Sequence, residues 1–231
     1  MIPWQQVGRT PLPGGGQLEL WRRDLAGRPS EFSLRIVEPN HPTIELMNSR
    51  QHGSEEALAE LAANALGRPA ASALVGGLGM GFTLRAALDR LPVGARVTVA
   101  ELLPQVVEWN REHLAELAGR PLDDPRVRVF VGDVADEIRR RQAAYDLILL
   151  DTDNGPEGTS RDENEQLYSA AGLERARAAL TPGGVLAIWS AFDSPTFSKR
   201  LQRAGFEVRH ERPRAHGKRG ARHTVWLARR P

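Results

Sequence analysis

The run Ala73-Leu74-Val75-Gly76-Gly77-Leu78-Gly79-Met80-Gly81 passes from three apolar residues straight into a glycine-rich turn, and a helical pattern follows at Thr83–Leu91. A buried strand that opens through glycines into a helix is the start of a βαβ unit, in which small residues let backbone approach a ligand. The chain after this point repeats the alternation. Strand patterns lie at 96–100, 127–131, 145–150, 185–189, 206–209 and 224–228, and helical patterns at about 104–117, 134–142, 164–180 and 195–204. With the strand at 73–75 that makes seven strands. Strands alternating with helices of this size predict a doubly wound, mostly parallel α/β sheet of Rossmann-like form, covered on both faces.

Before residue 54 the reading is different. Pro11–Gly16 is a loop signal, while 17–21, 32–37 and 44–47 alternate polar and apolar as half-buried strands do. Residues 1–53 are therefore expected to form a small N-terminal β-element and residues 54–231 the catalytic domain. Ser54 is read as the cap of a first helix, with Glu55 and Glu56 in the turn where the helix dipole favours acids, and Gly67-Arg68-Pro69 as its end.

Composition narrows the function. The 231 residues include no cysteine, which excludes disulfides and thiolate metal sites, and no stretch is long and apolar enough to span a bilayer. Residues 1–5 carry neither the basic start nor the apolar run of a secretion signal; the expected location is cytoplasmic. Basic residues (31) nearly balance acidic ones (29), but the balance is uneven along the chain. Lys and Arg dominate 199–230, where Glu207 and Glu211 are the acids. The basic stretch 209–222 is expected to be a loop between the last two strands. It lacks the interleaved aromatics that stack bases, so nucleic acid is the weaker partner for it. The six His show no metal-ligand spacing, and no metal is expected.

In open α/β sheets, ligands lie beyond the carboxyl ends of the strands. Four consecutive strands end there in something useful: the glycine turn, then Glu101, Asp133 and Asp151. Glu101 follows Gly81 by 20 residues, where a carboxylate accepts hydrogen bonds from a ribose diol. The glycines are spaced G-x-G-x-G with Phe82 next, and no Lys-Ser or Lys-Thr follows, so neither the dinucleotide fingerprint nor a P-loop is present. Three acids on the rim suit a neutral or cationic ligand better than a pyrophosphate. An adenosyl sulfonium such as S-adenosylmethionine has that character.

With these residues in view, the chain resembles the spermidine synthases among class I S-adenosylmethionine-dependent methyltransferase-fold proteins. The resemblance runs through Ile44–Ala62, Leu74–Arg85, Val97–Glu101, Val131–Asp133, Tyr145–Gly158 and Leu180–Trp189. It implies that Gly77, Gly79 and Gly81 border the methionine-like part of the co-substrate and that Glu101 holds the ribose hydroxyls. It places Asp133 on the adenine amino group, Val134 against the ring, and Asp151 at the reaction centre; the family's second acid is either shifted to Asp153, read here as assisting Asp151, or replaced by Asn154. The co-substrate is then S-adenosylmethionine or its decarboxylated form. The acceptor is a small molecule, a polyamine or other amine, and a homodimer is left open.

The chain departs from that family in three places. The glycine turn offers Leu78 and Met80 where spermidine synthases carry an Asp. The motif resembling D-S-S-D-P reads Asp151-Thr152-Asp153-Asn154-Gly155-Pro156. Ser54-Glu55-Glu56 stands where a Tyr-His-Glu type of motif is expected. The expected activity is alkyl transfer, with methyl and aminopropyl both open. The alternative is a non-catalytic adenosyl-ligand-binding or RNA-contacting protein with a degenerate site. Thr152–Asp162, rich in Gly and acids, is expected to be a flap over the site.

Overall fold

The computed structural model describes residues 2–152, 166–216 and 219–231. The chain divides into two compact units at the step from His52 to Gly53.

The first unit is a four-stranded antiparallel sheet in chain order, β1 (Gln5–Pro11), β2 (Gln17–Arg23), β3 (Glu31–Val37) and β4 (Ile44–Asn48). One face buries Leu18, Leu20, Phe32 and Leu34, with Leu20 opposite Leu34 across β2 and β3. Arg35 stacks its guanidinium over the Trp21 ring, 4.9 Å from the centroid. Three of these strands follow from polar–apolar alternation. β1 carries no such pattern, because its QQVGRTP sequence is mostly exposed and bulged between Gln6 and Gly8.

The second unit is an α/β sheet of seven strands: β5 (Ser72–Gly76), β6 (Arg96–Glu101), β7 (Val127–Val131), β8 (Tyr145–Leu150), β9 (Leu180–Ser190), β10 (Glu207–Glu211) and β13 (Thr224–Arg229). Their spatial order is β10-β13-β9-β8-β5-β6-β7. β9, β8, β5, β6 and β7 run parallel, and β13 turns back antiparallel between β9 and β10. The central strand β8 is buried at every residue, as a parallel strand covered on both faces must be. One sheet face, with Leu74, Ile148, Leu150, Leu186, Ile188 and Trp226, packs into a core with Phe197 and Leu201. Helix α1 (Gly53–Leu66) packs against β8, β9 and β13. α2 (Phe82–Arg90), α3 (Pro104–Arg111), α4 (Val134–Arg139), α5 (Ala170–Ala179) and α6 (Pro195–Arg203) complete the α-helices with full bounds among the described residues, and Pro121–Asp123 forms a short 3-10 turn.

Chain order leaves β5 and β8 adjacent although β6 and β7 lie between them in sequence. This is the switch point where the crossovers diverge to the two sides, and it opens a crevice at the strands' carboxyl ends. The opposite ends are tied by Asp146. Its carboxylate accepts from Ala71 N (2.7 Å), Thr181 Oγ1 (2.8 Å) and Arg68 Nη2 (2.7 Å), so this buried acid is structural.

Several expected boundaries move. α1 starts at Gly53, which puts Ser54 inside the first turn rather than at the cap. α3 stops at Arg111, since Glu112 leaves helical geometry (φ −110, ψ −88) and the chain runs on in turns instead of helix to 117. α4 stops at Arg139, short of 142. The expected helix 164–180 begins outside the described residues; within them Ser169 interrupts it and caps α5 through Gly172 N. β9 takes in Thr181–Gly184, expected as a turn, with Gly183 at φ 73. The stretch 209–222 is not one loop: β10 continues to Glu211, and a hairpin of β11 (Arg214–His216) and β12 (Arg219–Arg222) follows.

Candidate active site

The glycine turn is held in shape from below. Gly77, Gly79 and Gly81 all have positive φ (86, 51 and 86). Gly77 is the constrained one: a Cβ there would lie 2.4 Å from the Asp151 carbonyl oxygen. The turn and the end of β8 therefore touch backbone to backbone, and Asp151 N donates to Gly76 O at 2.9 Å. Leu78 and Met80 are buried, so the turn presents no charged side chain.

Glu101, at the end of β6, is buried and accepts from Leu78 N with one carboxylate oxygen and from Leu103 N with the other, each at 2.9 Å. Burial raises its pKa, and these N–H groups oppose the rise. Glu101 thus orders the glycine turn itself. Each oxygen keeps a second lone pair for a further donor. Asp133 is the N-cap of α4, its Oδ1 accepting from Ala135 N at 2.8 Å. Val134 is buried with its Cγ2 against Gly76, where an added Cβ would meet it at 2.8 Å. Leu102 and Val131, beside Glu101 and Asp133, are exposed apolar side chains at the same edge.

Asp151 emerges from β8 into the crevice. Thr83, in the first turn of α2, donates Oγ1–H to Asp151 Oδ2 at 2.6 Å. The same hydroxyl lies 3.2 Å from Glu55 O, but it has one proton, and the shorter charge-assisted bond takes it. Burial raises the Asp151 carboxyl to about 6 despite the Thr83 bond. Glu55, in the first turn of α1, is raised to about 7, by burial first and then by the negative charge of Asp151. The two acids therefore act as a pair that does not readily carry two charges. Among the described residues no Lys or Arg forms an ion pair with either.

Behind this pair lies a short polar chain. Ser54 Oγ donates to Glu55 Oε2 at 2.6 Å, and His223 Nδ1 lies 2.8 Å from Ser54 Oγ. The Trp189 ring meets the His223 ring edge-on, centroids 4.7 Å apart. Trp189 Nε1 is buried without a hydrogen-bond partner among the described residues. Tyr168 is a core residue, edge-on to Phe197, and its hydroxyl lies 3.0 Å from Thr152 Oγ1. Phe192 is exposed beyond the end of β9. Among the described residues no cluster of His, Asp and Glu is arranged to hold a metal ion, and no helix is long and apolar enough to cross a membrane.

The crevice thus gathers the three glycines, Glu101, Asp133, Val134 and Asp151 along one edge. Asp153 and most of the expected flap lie outside the described residues. Thr83, Ser54 and His223 were not anticipated as site residues, and Glu55 was read as a dipole-favoured acid. No local signal marks Thr83. His223 stands 169 residues from Ser54 in the chain, so only the closing of β13 beside β9 brings them together.

A profile of the spermine/spermidine synthase domain matches residues 51–203. Polyamine aminopropyltransferase 2 of Pseudomonas aeruginosa is 33% identical over 119 residues, 50% of this chain and 32% of that protein. Putrescine N-methyltransferase 4 of Nicotiana tabacum is 33% identical over 132 residues, 57% of this chain and 32% of its own length. Spermidine synthase of Dictyostelium discoideum is 31% identical over 137 residues, 55% of this chain and 46% of its own length. The chain thus spans a third to a half of the curated relatives it matches. The crystal structure of spermidine synthase from Thermotoga maritima superposes with a TM-score of 0.74 at 16% identity, covering 98% of this chain and 73% of that one. The matched segment begins just ahead of α1 and runs through α6, so it carries the glycine turn, both paired acids and every strand end of the crevice: the chain belongs to the spermine/spermidine synthase domain family.

Proposed function

We propose that this protein transfers an aminopropyl group from decarboxylated S-adenosylmethionine to a small amine, with Asp151 as the base. The paired, proton-hungry carboxylates Glu55 and Asp151 beside the glycine turn carry this reading. An ammonium is not a nucleophile until it loses a proton. A carboxylate with a raised pKa takes that proton more readily than an ordinary one, and two such groups without a competing cation attract a diamine.

The co-substrate supplies an electrophilic carbon on positive sulfur and a neutral thioether as leaving group. Acid catalysis of departure is therefore unnecessary, and the protein's contribution is positioning and proton removal. Glu101 is assigned the ribose diol through its remaining lone pairs. Asp133 is assigned the adenine amino group through Oδ2, with Val134 beneath the ring. Gly77, Gly79 and Gly81 leave room for the sulfonium tail. As the new C–N bond forms, the C–S electron pair leaves with sulfur and the amine proton passes to Asp151. Asp153 is assigned a supporting charge by its sequence position alone.

Aminopropyl transfer is favoured because a propylammonium tail complements the acid pair, whereas the carboxylate of S-adenosylmethionine would be repelled by it. One observation favours methyl transfer instead: Leu78 and Met80 fill the turn with buried apolar side chains, leaving no acid there to hold an ammonium. Product analysis separates the two. Purified protein given putrescine and either co-substrate should release methylthioadenosine from the decarboxylated one. Release of S-adenosylhomocysteine alone would replace aminopropyl by methyl transfer, and neither product with any small amine would reject alkyl transfer. Asp151→Asn should abolish the reaction while changing the affinity for methylthioadenosine, which carries no ammonium, less than about threefold, since the lost step is proton removal.

A further inference from the structure

We infer that Ser54 and His223 form a proton relay that drains Glu55, carrying the acceptor's proton from the paired acids out through the imidazole; this rests on the alkyl-transfer reading above. Each turnover leaves one proton on Asp151; a water in the crevice takes it while giving one of its own to Glu55, and both acids must be free of it before the next amine can be deprotonated. Glu55 is 8% exposed and Ser54 is fully buried, so the pair has little direct access to water on this side. His223 is half-buried and reaches the surface beside the β11–β12 hairpin.

The links are short, 2.6 Å from Ser54 Oγ to Glu55 Oε2 and 2.8 Å from Ser54 Oγ to His223 Nδ1. A hydroxyl has one proton and two lone pairs, so it passes a proton by donating one way while accepting from the other. In one state Glu55 O–H donates to Ser54 and Ser54 donates to Nδ1. In the other, Nδ1–H donates to Ser54 and Ser54 donates to the Glu55 carboxylate. One proton shifts along each link while the heavy atoms stay in place. The proton reaching Nδ1 is balanced by loss of the Nε2 proton to water, and tautomer exchange with solvent resets the ring. Burial lowers the His223 pKa, so the imidazole does not retain the charge.

The surroundings hold this geometry. His223 N donates to Pro213 O at 2.9 Å, and its ring is braced by Trp189. α1 meets β11 so closely that a Cβ on Gly53 would lie 3.2 Å from Ala215 O, which sets Ser54 at the imidazole. Among the described residues Ser54 Oγ makes no helix-capping bond that would divert it. Among the described residues the charged groups facing Glu55 are Asp151, just past β8, and Glu56 on its own helix. Arg214 of β11 donates from Nη1 to Gly220 O at 3.2 Å.

The test uses the full chain with Ser54→Ala, His223→Ala and the double substitution, each checked for a wild-type unfolding midpoint. Steady-state kcat for alkyl transfer, which contains the resetting step, should fall on the order of tenfold in each single variant, and no further in the double. Excess imidazole should restore His223→Ala but not Ser54→Ala. Folded single variants at wild-type rate, or losses that multiply without imidazole rescue, would overturn the relay. Should the wild type transfer no alkyl group, the relay is read from the imidazole nitrogens of His223 by 15N NMR. A Nδ1 shift that follows Glu55 ionisation, and that vanishes in Glu55→Gln and Ser54→Ala, keeps the relay while the alkyl-transfer reading falls. A Nδ1 signal indifferent to both substitutions removes it.

Discussion

Replacing Glu55 by Gln should stabilise the protein above neutral pH and leave it nearly unchanged near pH 5. The wild-type carboxyl is raised from 4.5 to about 7 by burial and by the charge of Asp151. A carboxyl raised in the folded state binds its proton more tightly there than in the unfolded chain. Its stabilising contribution is therefore present below about pH 4.5 and lost as pH rises through about 7. At about 1.4 kcal/mol for each pH unit between those values, the loss by pH 8 is on the order of 3 kcal/mol. Gln keeps the length of the side chain and still accepts from Ser54, but never has to ionise. Urea unfolding of both proteins at pH 5 and pH 8 reads the effect. At pH 8 the variant midpoint should be higher by on the order of 1 M, at an unchanged slope. At pH 5 the midpoints should nearly coincide. A midpoint difference that is the same at both pH values would show that Glu55 ionises as an ordinary surface acid and would dissolve the pairing argument.

Three further predictions follow from the crevice. Glu101→Gln should weaken methylthioadenosine binding by roughly 1.5–3 kcal/mol, since a charged acceptor is lost; unchanged affinity by calorimetry would show that Glu101 serves the glycine turn and not the ribose. Asp133→Asn should stay folded, because Asn caps a helix as well as Asp does, yet bind the adenosyl group more weakly. Asp133→Ala should in addition lose about 1 kcal/mol of stability, and equal adenosyl affinity in all three proteins would confine Asp133 to its cap. Gly77→Ala combines a positive φ with a Cβ driven onto the Asp151 carbonyl. It should cost about 1–3 kcal/mol in backbone strain and displace Asp151 enough to slow transfer further than the stability loss explains; wild-type turnover in a folded variant would refute the contact.

The order of strands and helices after residue 72, the glycine turn and the three acids at successive strand ends are local facts of the chain. Hydrophobic period and turn residues announce them, and the parallel sheet then has few ways to assemble. The carboxyl edge of the crevice was legible for that reason: a residue at the end of a parallel strand is delivered there whatever the details of packing. Helix ends were less legible, because α3 and α4 stop where individual backbone angles change, at Glu112 and Arg140, without a Gly or Pro to mark the place.

What only the tertiary structure decided is the acid pair and the chain behind it. Ser54 and Glu55 open a helix before the first strand of the large sheet, Thr83 opens another, Asp151 ends the fourth strand of that sheet and His223 precedes the last. In sequence Ser54-Glu55-Glu56 reads as an ordinary acidic first turn, and His223 as one of six scattered histidines. Their chemistry comes from burial and from each other's charge. Those quantities depend on which groups are brought within a few ångströms and shut off from water, and no local pattern of residues encodes that.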